Sequence, residues 1–291
     1  MPCDGIGLVR TDHILRNIIQ VHPMALVSFK TLKTEDDRDE ISVLARAYRK
    51  KRDYFVETLS NCLAQIAATR YPHPVLVLTS NMEPAEYASL AGGSRFEPFI
   101  EKSAPPYRGV SRYLSKHYQR GFELECRAIE RARKQSGFDN IHMIIPYCRT
   151  TSEADCILSM LGEYGLVQGE YGLEIYLSCD YPDNIKHGEE FASRFDGFTI
   201  AAGKMRNVML NSEKDVQWLN SNKSVEAALN RLIGILHDNG RRLHIVGRMF
   251  SRSKNLVRFL AKMGVDALSV NPEVIPRIAR WVAEAEKAVS E

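Results

Sequence analysis

Seven short apolar runs, each closing on turn-forming or polar residues, set the strongest constraint on what this chain can fold into: "DGIGLVR" (4–10), "PVLVLTS" (74–80), "IHMIIPY" (141–147), "LEIYLSC" (173–179), "GFTIAAG" (197–203), "RLHIVGR" (242–248) and "DALSVNP" (266–272). They lack the polar alternation of a half-exposed strand, so each reads as a strand buried on both faces. Amphipathic, helix-like segments separate most of them: one long stretch from about Asp36 to Arg70, then roughly 117–135, 152–164, 222–239, 253–263 and 274–287. Strand and helix alternate, which predicts a parallel sheet covered by helices. Two architectures satisfy that pattern, a closed (β/α)8 barrel and an open doubly wound sheet.

The open sheet is disfavoured by its missing fingerprint. "GIGLV" after Asp4 has two glycines and lacks the third of a dinucleotide-binding turn, and no Walker A pattern occurs. The fold expected is therefore an α/β TIM barrel, and 291 residues suit one such domain spanning 1–291. Barrel sites lie at strand C-terminal ends, which here carry Arg10, Thr79 and Ser80, Tyr147 to Thr150, Cys179 and Asp180, Lys204, Arg248 and Asn271. The Pro-rich stretch 98–109 reads as a loop over one end of the barrel rather than as a linker.

Charge excludes some partners. With 39 basic and 36 acidic residues the net charge is +3, so no global field argues for nucleic acid or a membrane surface. The basic run "RAYRKKR" (46–52) reads as a solvated helix face. Six cysteines show no CxxC spacing, no secretory leader is recognisable and no run approaches the apolar length of a membrane span. A reduced, cytoplasmic setting is expected. Neither His13 nor His22 has metal-ligand spacing with Cys3, so both read as local hydrogen-bonding residues; Cys179 reads as a buried, inert thiol.

Motifs in order along the chain carry a resemblance. "GIGLVRTDHIL" (5–15), "EYASLAGGSRFEP" (86–98), "YRGVSRY" (107–113), "FELECRAIERAR" (122–133), "IIPYCRT" (144–150), "FDGFTI" (195–200) and "LSVNPE" (268–273) resemble the C-terminal PEP/pyruvate-binding barrel of the PEP-utilising enzymes, the family of phosphoenolpyruvate synthase. The resemblance implies a barrel that holds magnesium and an oxo acid and receives a phosphoryl group from a histidine on a separate domain. It also implies roles for particular residues. Arg10 and Arg108 match phosphate-binding arginines, and Asp180 falls where the family has a metal-binding glutamate. Leu78 stands in place of a further arginine. Gly203 and Lys204 replace an Asn-Asp pair, and Val246 stands where the family has its proton-transferring cysteine.

Lys204 is the most informative departure, because an ammonium where a Mg²⁺ ligand is expected removes a donor and repels the ion. Three readings of it stay open: a replacement for the metal's charge paired with Asp180 or a bound anion, a deprotonated Schiff-base nucleophile, or a solvated side chain without a role. Asp180 reads as a remnant ligand or as the partner of Lys204. Arg10 and Arg108 read as anion clamps or as loop ties, and Arg248 adds positive potential if it points inward.

Two functions are consistent with these substitutions. One is a barrel that has lost the pyruvate/PEP phosphotransfer and keeps an anion site, without a cofactor and with Mg²⁺ doubtful. The other is the substrate-binding subunit of a split phosphotransferase acting on a small alcohol, phenol or oxo acid. In both, a phosphohistidine-domain or other protein subunit is the expected partner. The family barrel begins with a strand ahead of the segment matching residues 1–10, so seven runs leave a gap for a partner subunit or a second copy of the chain to cover, and a homo-oligomer or one piece of a split assembly is expected.

Overall fold

The computed structural model describes residues 3–32, 34–97, 107–210 and 223–290. Among these it contains seven strands: β1 (Ile6–Arg10), β2 (Val75–Leu78), β3 (Ile141–Ile145), β4 (Ile175–Ser178), β5 (Gly197–Ala201), β6 (Arg242–Val246) and β7 (Ala267–Ser269). Each falls inside one of the seven apolar runs. In the sheet they follow their sequence order from β1 to β7. Parallel strands in sequence order, joined through helices, define an α/β fold of the TIM-barrel type. Seven strands are described where that type has eight.

The longer helices are α1 (Glu35–Leu44), α2 (Lys51–Ala68), α3 (Gln119–Lys134), α4 (Thr151–Glu163), α5 (Lys223–Asp238), α6 (Lys254–Lys262) and α7 (Ile275–Ser290). None among the described residues is long and apolar enough to cross a membrane. The single helix expected from Asp36 to Arg70 is in fact two. Arg46, Arg49, Lys50, Lys51 and Arg52 crowd like charges three and four residues apart, an arrangement that weakens a continuous helix. The chain leaves α1 at Ala45, whose carbonyl accepts a 2.9 Å hydrogen bond from Lys51 Nζ. The basic run thus breaks the helix, and most of it is exposed, as a solvated segment should be. Of the Pro-rich stretch expected to form a loop, residues 98–106 lie outside the described residues.

Contacts divide the chain into two compact units. In the first, comprising residues 9–146 and 155–173, β2 and β3 pair in parallel from Val75 opposite Ile141 to Leu78 opposite Ile144. Helix α3 buries Phe122, Cys126, Ile129 and Ala132, a three-to-four-residue spacing that makes one apolar stripe. Its last turn carries Arg131, Arg133 and Lys134, which favours the negative end of the helix dipole. Helix α2 packs against that element and buries Phe55, Leu59 and Leu63.

One buried ion pair dominates the polar interior of this unit. The Arg112 guanidinium, fully buried, donates to both oxygens of Glu97 at 2.6 Å. It lies 4.0 Å from the ring centre of Tyr87, 4.4 Å from Tyr107 and 4.9 Å from Tyr118. His22 adds a 3.0 Å contact to Glu97 through Nε2 and accepts the Met24 N–H through Nδ1. Its role is hydrogen bonding, as expected, but its reach extends well beyond the local turn. Desolvation works against the Glu97 carboxylate, yet Arg112 and His22 outweigh it and hold its pKa below the usual range.

The second unit comprises residues 1–8, 147–154 and 174–291. Strands β4 to β7 pair in parallel, with Tyr176 opposite Gly197, Thr199 opposite His244, and Val246 opposite Ser269. Phe198, Ile200, Leu243 and Ile245 have no exposed surface. Helix α6 starts at Ser253, whose hydroxyl caps the Leu256 N–H, and buries Leu256, Val257 and Leu260.

Candidate functional site

In the second unit, three strand ends bring Tyr147, Asp180 and Lys204 together. Beyond β4, the Cys179 N–H continues the ladder to Thr199 O at 2.8 Å, which fixes the backbone just before Asp180. The side chain of Asn184, fully buried, accepts from the N–H groups of Asp180 and Tyr181 and donates to Cys148 O at 2.9 Å. The position of Asp180 is therefore set by backbone hydrogen bonds on both sides of it. Beyond β5, a short 3₁₀ turn over Ala202–Lys204 presents the lysine.

Lys204 Nζ donates to Asp180 Oδ1 at 2.8 Å and to the Tyr147 hydroxyl at 3.1 Å. Asp180 Oδ2 accepts the Tyr147 N–H at 3.0 Å. Both carboxylate oxygens are thus engaged. The Asp180 side chain is 6% exposed and that of Lys204 45%, so the acid is covered while its partner stays open to solvent on one side. Desolvation lowers the lysine pKa, but the Asp180 charge and the hydrogen bonds to Asp180 and Tyr147 outweigh it and leave the pKa above its ordinary value. An amine held protonated is a poor nucleophile, and the Schiff-base reading loses its support. The ammonium has two specific partners, Asp180 and the Tyr147 hydroxyl, while its side chain stays partly open to solvent. Tyr147 itself sits at φ +55°, a left-handed conformation unusual for a bulky residue and costing on the order of 1 kcal/mol or more.

The other positions expected in this unit are more dispersed. Val246 ends β6 half-buried, level with Ala201 on one side and Ser269 on the other. Arg248 opens a 3₁₀ turn with its side chain exposed. Cys179 is buried, and burial raises its thiol pKa well above the ordinary value, which agrees with an inert role.

In the first unit, Arg10 and Arg108 are drawn together through residues that the sequence did not single out. Arg10 ends β1 and bonds Asp12 Oδ2 at 3.1 Å. The other oxygen of Asp12 accepts the Asn81 N–H at 2.8 Å. Arg108 donates to the carbonyl of that same Asn81, from Nε at 3.0 Å and Nη2 at 2.8 Å, and also pairs with Glu83. One peptide residue, Asn81, therefore joins both arginines. Leu78, in the place of the family's further arginine, is the last residue of β2 and leaves its carbonyl to Thr11 Oγ1.

The turn after β2 is anchored from beneath. Glu125 on α3 accepts the Ser80 N–H at 2.8 Å and its hydroxyl at 2.6 Å, Tyr87 donates to Ser80 Oγ, and Tyr113 donates to Ser80 O and bonds Thr79 Oγ1. Burial pushes the Glu125 carboxyl up to about 7, against the opposing bonds from Ser80. Asp12 and Asn81 were discoverable only as polar residues next to strand ends, a weak signal without the fold.

Residues 1–287 match the family described as PEP-utilising enzyme, PEP-binding domain. The chain belongs to this family. Its PEP-binding domain is shared with the phosphoenolpyruvate synthase of Synechocystis sp. (36% identity over 294 residues, 99% of this chain and 36% of that one), of Aquifex aeolicus (31%, covering 99% and 39%) and of Escherichia coli (32%, covering 98% and 36%). The chain thus spans little more than a third of the length of these curated relatives of the PEP-utilising family.

Proposed function

We propose that this PEP-binding domain no longer carries out phosphoryl exchange between pyruvate and PEP and has kept an anion site in which the Lys204 ammonium supplies the positive charge. The observation that carries this reading is the 2.8 Å pairing of Lys204 Nζ with Asp180 Oδ1. The residues do not fit a magnesium ion. Each Asp180 oxygen already accepts one hydrogen bond, and one of the two donors is a cation. A divalent ion beside that ammonium adds charge repulsion to the missing donors. Val246, an aliphatic side chain at the family's proton-transfer position, cannot exchange a proton with a methyl carbon.

Arg10 is the residue best placed to contribute to anion binding in the other unit, because its side chain is 44% exposed while Asp12 holds it from behind. Arg108 is more fully committed to Asn81 and Glu83 and serves chiefly to hold that turn. Arg248 adds only a distributed positive potential.

A second reading, an active substrate-binding part of a split phosphotransferase, is favoured by Tyr147. A strained residue persists where its surroundings over-determine it, and such strain concentrates at functional sites. Its acceptor is then a small alcohol, phenol or oxo acid whose reaction needs no carbanion, with the phosphoryl group delivered by a phosphohistidine-bearing component.

Thermal-shift titration with phosphoenolpyruvate, pyruvate, oxalate and phosphate, each with and without Mg²⁺, separates these readings from the ancestral chemistry. Stabilisation by an anion that is independent of Mg²⁺ and lost in Lys204→Gln is the expected result. Stabilisation that requires Mg²⁺ contradicts the proposal. Phosphoryl transfer to an added acceptor, in the presence of a phosphohistidine donor, distinguishes the second reading from the first.

A further inference from the structure

The face shared by β5 and β6 carries two buried polar atoms without a protein partner. Thr199 Oγ1 and His244 Nδ1 are both enclosed and unbonded among the described residues. The two residues are opposite each other in the parallel ladder, so their side chains leave the same face from strands about 4.8 Å apart. No direct bond joins them. Leaving a buried hydroxyl and ring nitrogen without a hydrogen bond is costly, which makes such a pair in one place a pointer to something that bonds both.

The rest of the cluster limits what that can be. His244 Nε2 is 2.7 Å from Ser269 Oγ, so one ring nitrogen is already used. Gly7 closes the other side, since a Cβ there would overlap Ser269 Oγ and crowd the His244 ring. Burial keeps the imidazole neutral, with a pKa of about 4, so its two nitrogens are one donor and one acceptor. Which nitrogen carries the proton is set by the bond to Ser269, and a threonine hydroxyl can both donate and accept. A single group that bonds both atoms has to donate or accept in either sense, as a water molecule does. Ser178, opposite Thr199 on β4, brings a further hydroxyl to the same row.

We propose that the β5–β6 face holds one internal water bridging Thr199 Oγ1 and His244 Nδ1. The bridge completes a chain from Thr199 through the water and the imidazole to Ser269. It fixes the direction of the Ser269 hydroxyl, which stands level with Val246 at the end of β7.

A crystal structure at a resolution that shows ordered solvent tests it on the wild type and on Thr199→Val. The expected result is one water within about 3.2 Å of both atoms in the wild type and its loss in the variant. A second measurement keeps the test independent of crystals. Valine has nearly the shape of threonine, so removing a hydroxyl bonded to water lowers the Tm, whereas removing a dry hydroxyl leaves it unchanged or raises it. A wild-type structure without that water, or a Thr199→Val variant as stable as the parent, overturns the proposal.

Discussion

Lys204 Nζ donates to Asp180 Oδ1 at 2.8 Å, while the other oxygen of the same carboxylate is taken by the Tyr147 N–H. The turn after β5 delivers an ammonium to one side of Asp180, and the residue after β3 and Pro146 delivers a backbone donor to the other. The pair is half-open to solvent, so its contribution to folding is small, roughly 1 kcal/mol or less. Its consequence under the proposed function is the positive charge it places beside Asp180.

Arg112→Met is expected to destabilise the protein strongly. The substitution leaves Glu97 buried without its bidentate partner, and breaking a buried pair from one side costs about 3–5 kcal/mol. Equilibrium urea unfolding should show the midpoint falling steeply. Arg112→Lys should recover only part of the loss, since an ammonium cannot occupy two parallel bonds while spread between three tyrosine rings.

The Glu125 carboxyl gives stability a pH dependence of definite sign. Its folded pKa of about 7 lies above the ordinary 4.5, so its contribution is fully present below pH 4.5 and is lost as pH rises through 7. The groups around it are Ser80, Thr11 and Asp12, with Tyr87 and Tyr113 bonded to the same turn. Relative to the wild type, Glu125→Gln should gain up to about 3 kcal/mol between pH 4.5 and 7.5. Chemical denaturation across that range checks it; a difference that does not change with pH would contradict the assignment.

His244 acts in the opposite direction. Its folded pKa of about 4 lies below the ordinary 6.5, so the neutral ring's contribution is present above pH 6.5 and is lost as pH falls through 4. His244→Gln should therefore become relatively more stable on acidification, by up to about 3 kcal/mol over that window. The two groups oppose one another between pH 4.5 and 6.5, and the single variants should show slopes of opposite sign there.

Gly7→Ala is expected to lower the Tm. The added methyl meets Ser269 Oγ and the His244 ring, and both belong to strands whose backbone is held in the ladder. Overpacking of this kind costs typically 1–3 kcal/mol. Combining the substitution with His244→Ala, which removes the obstructing ring, should recover part of the loss.

The strands were legible because burial on both faces leaves an unbroken apolar run, and β3 and β5 show this most plainly in their fully enclosed Ile144 and Ile200. The break between α1 and α2 was not, since the hydrophobic period continues across it and only like-charge crowding in 46–52 marks the place. At the site, the type and position of Lys204 and Asp180 pointed to their pairing. The joining of Arg10 to Arg108 did not follow from sequence, because it runs through the backbone of Asn81, and a main-chain N–H or carbonyl has no identity in the one-letter code. The left-handed Tyr147 was hidden for the same reason: its residue type favours the opposite conformation.

The most direct test of the central claim is titration calorimetry of Mg²⁺ into the wild type and into Lys204→Asp, each with saturating oxalate. The expected result is no metal binding by the wild type and binding by the variant, where a second carboxylate joins Asp180 and the ammonium is gone. Stoichiometric Mg²⁺ binding by the wild type, weakened by Asp180→Asn, would contradict it.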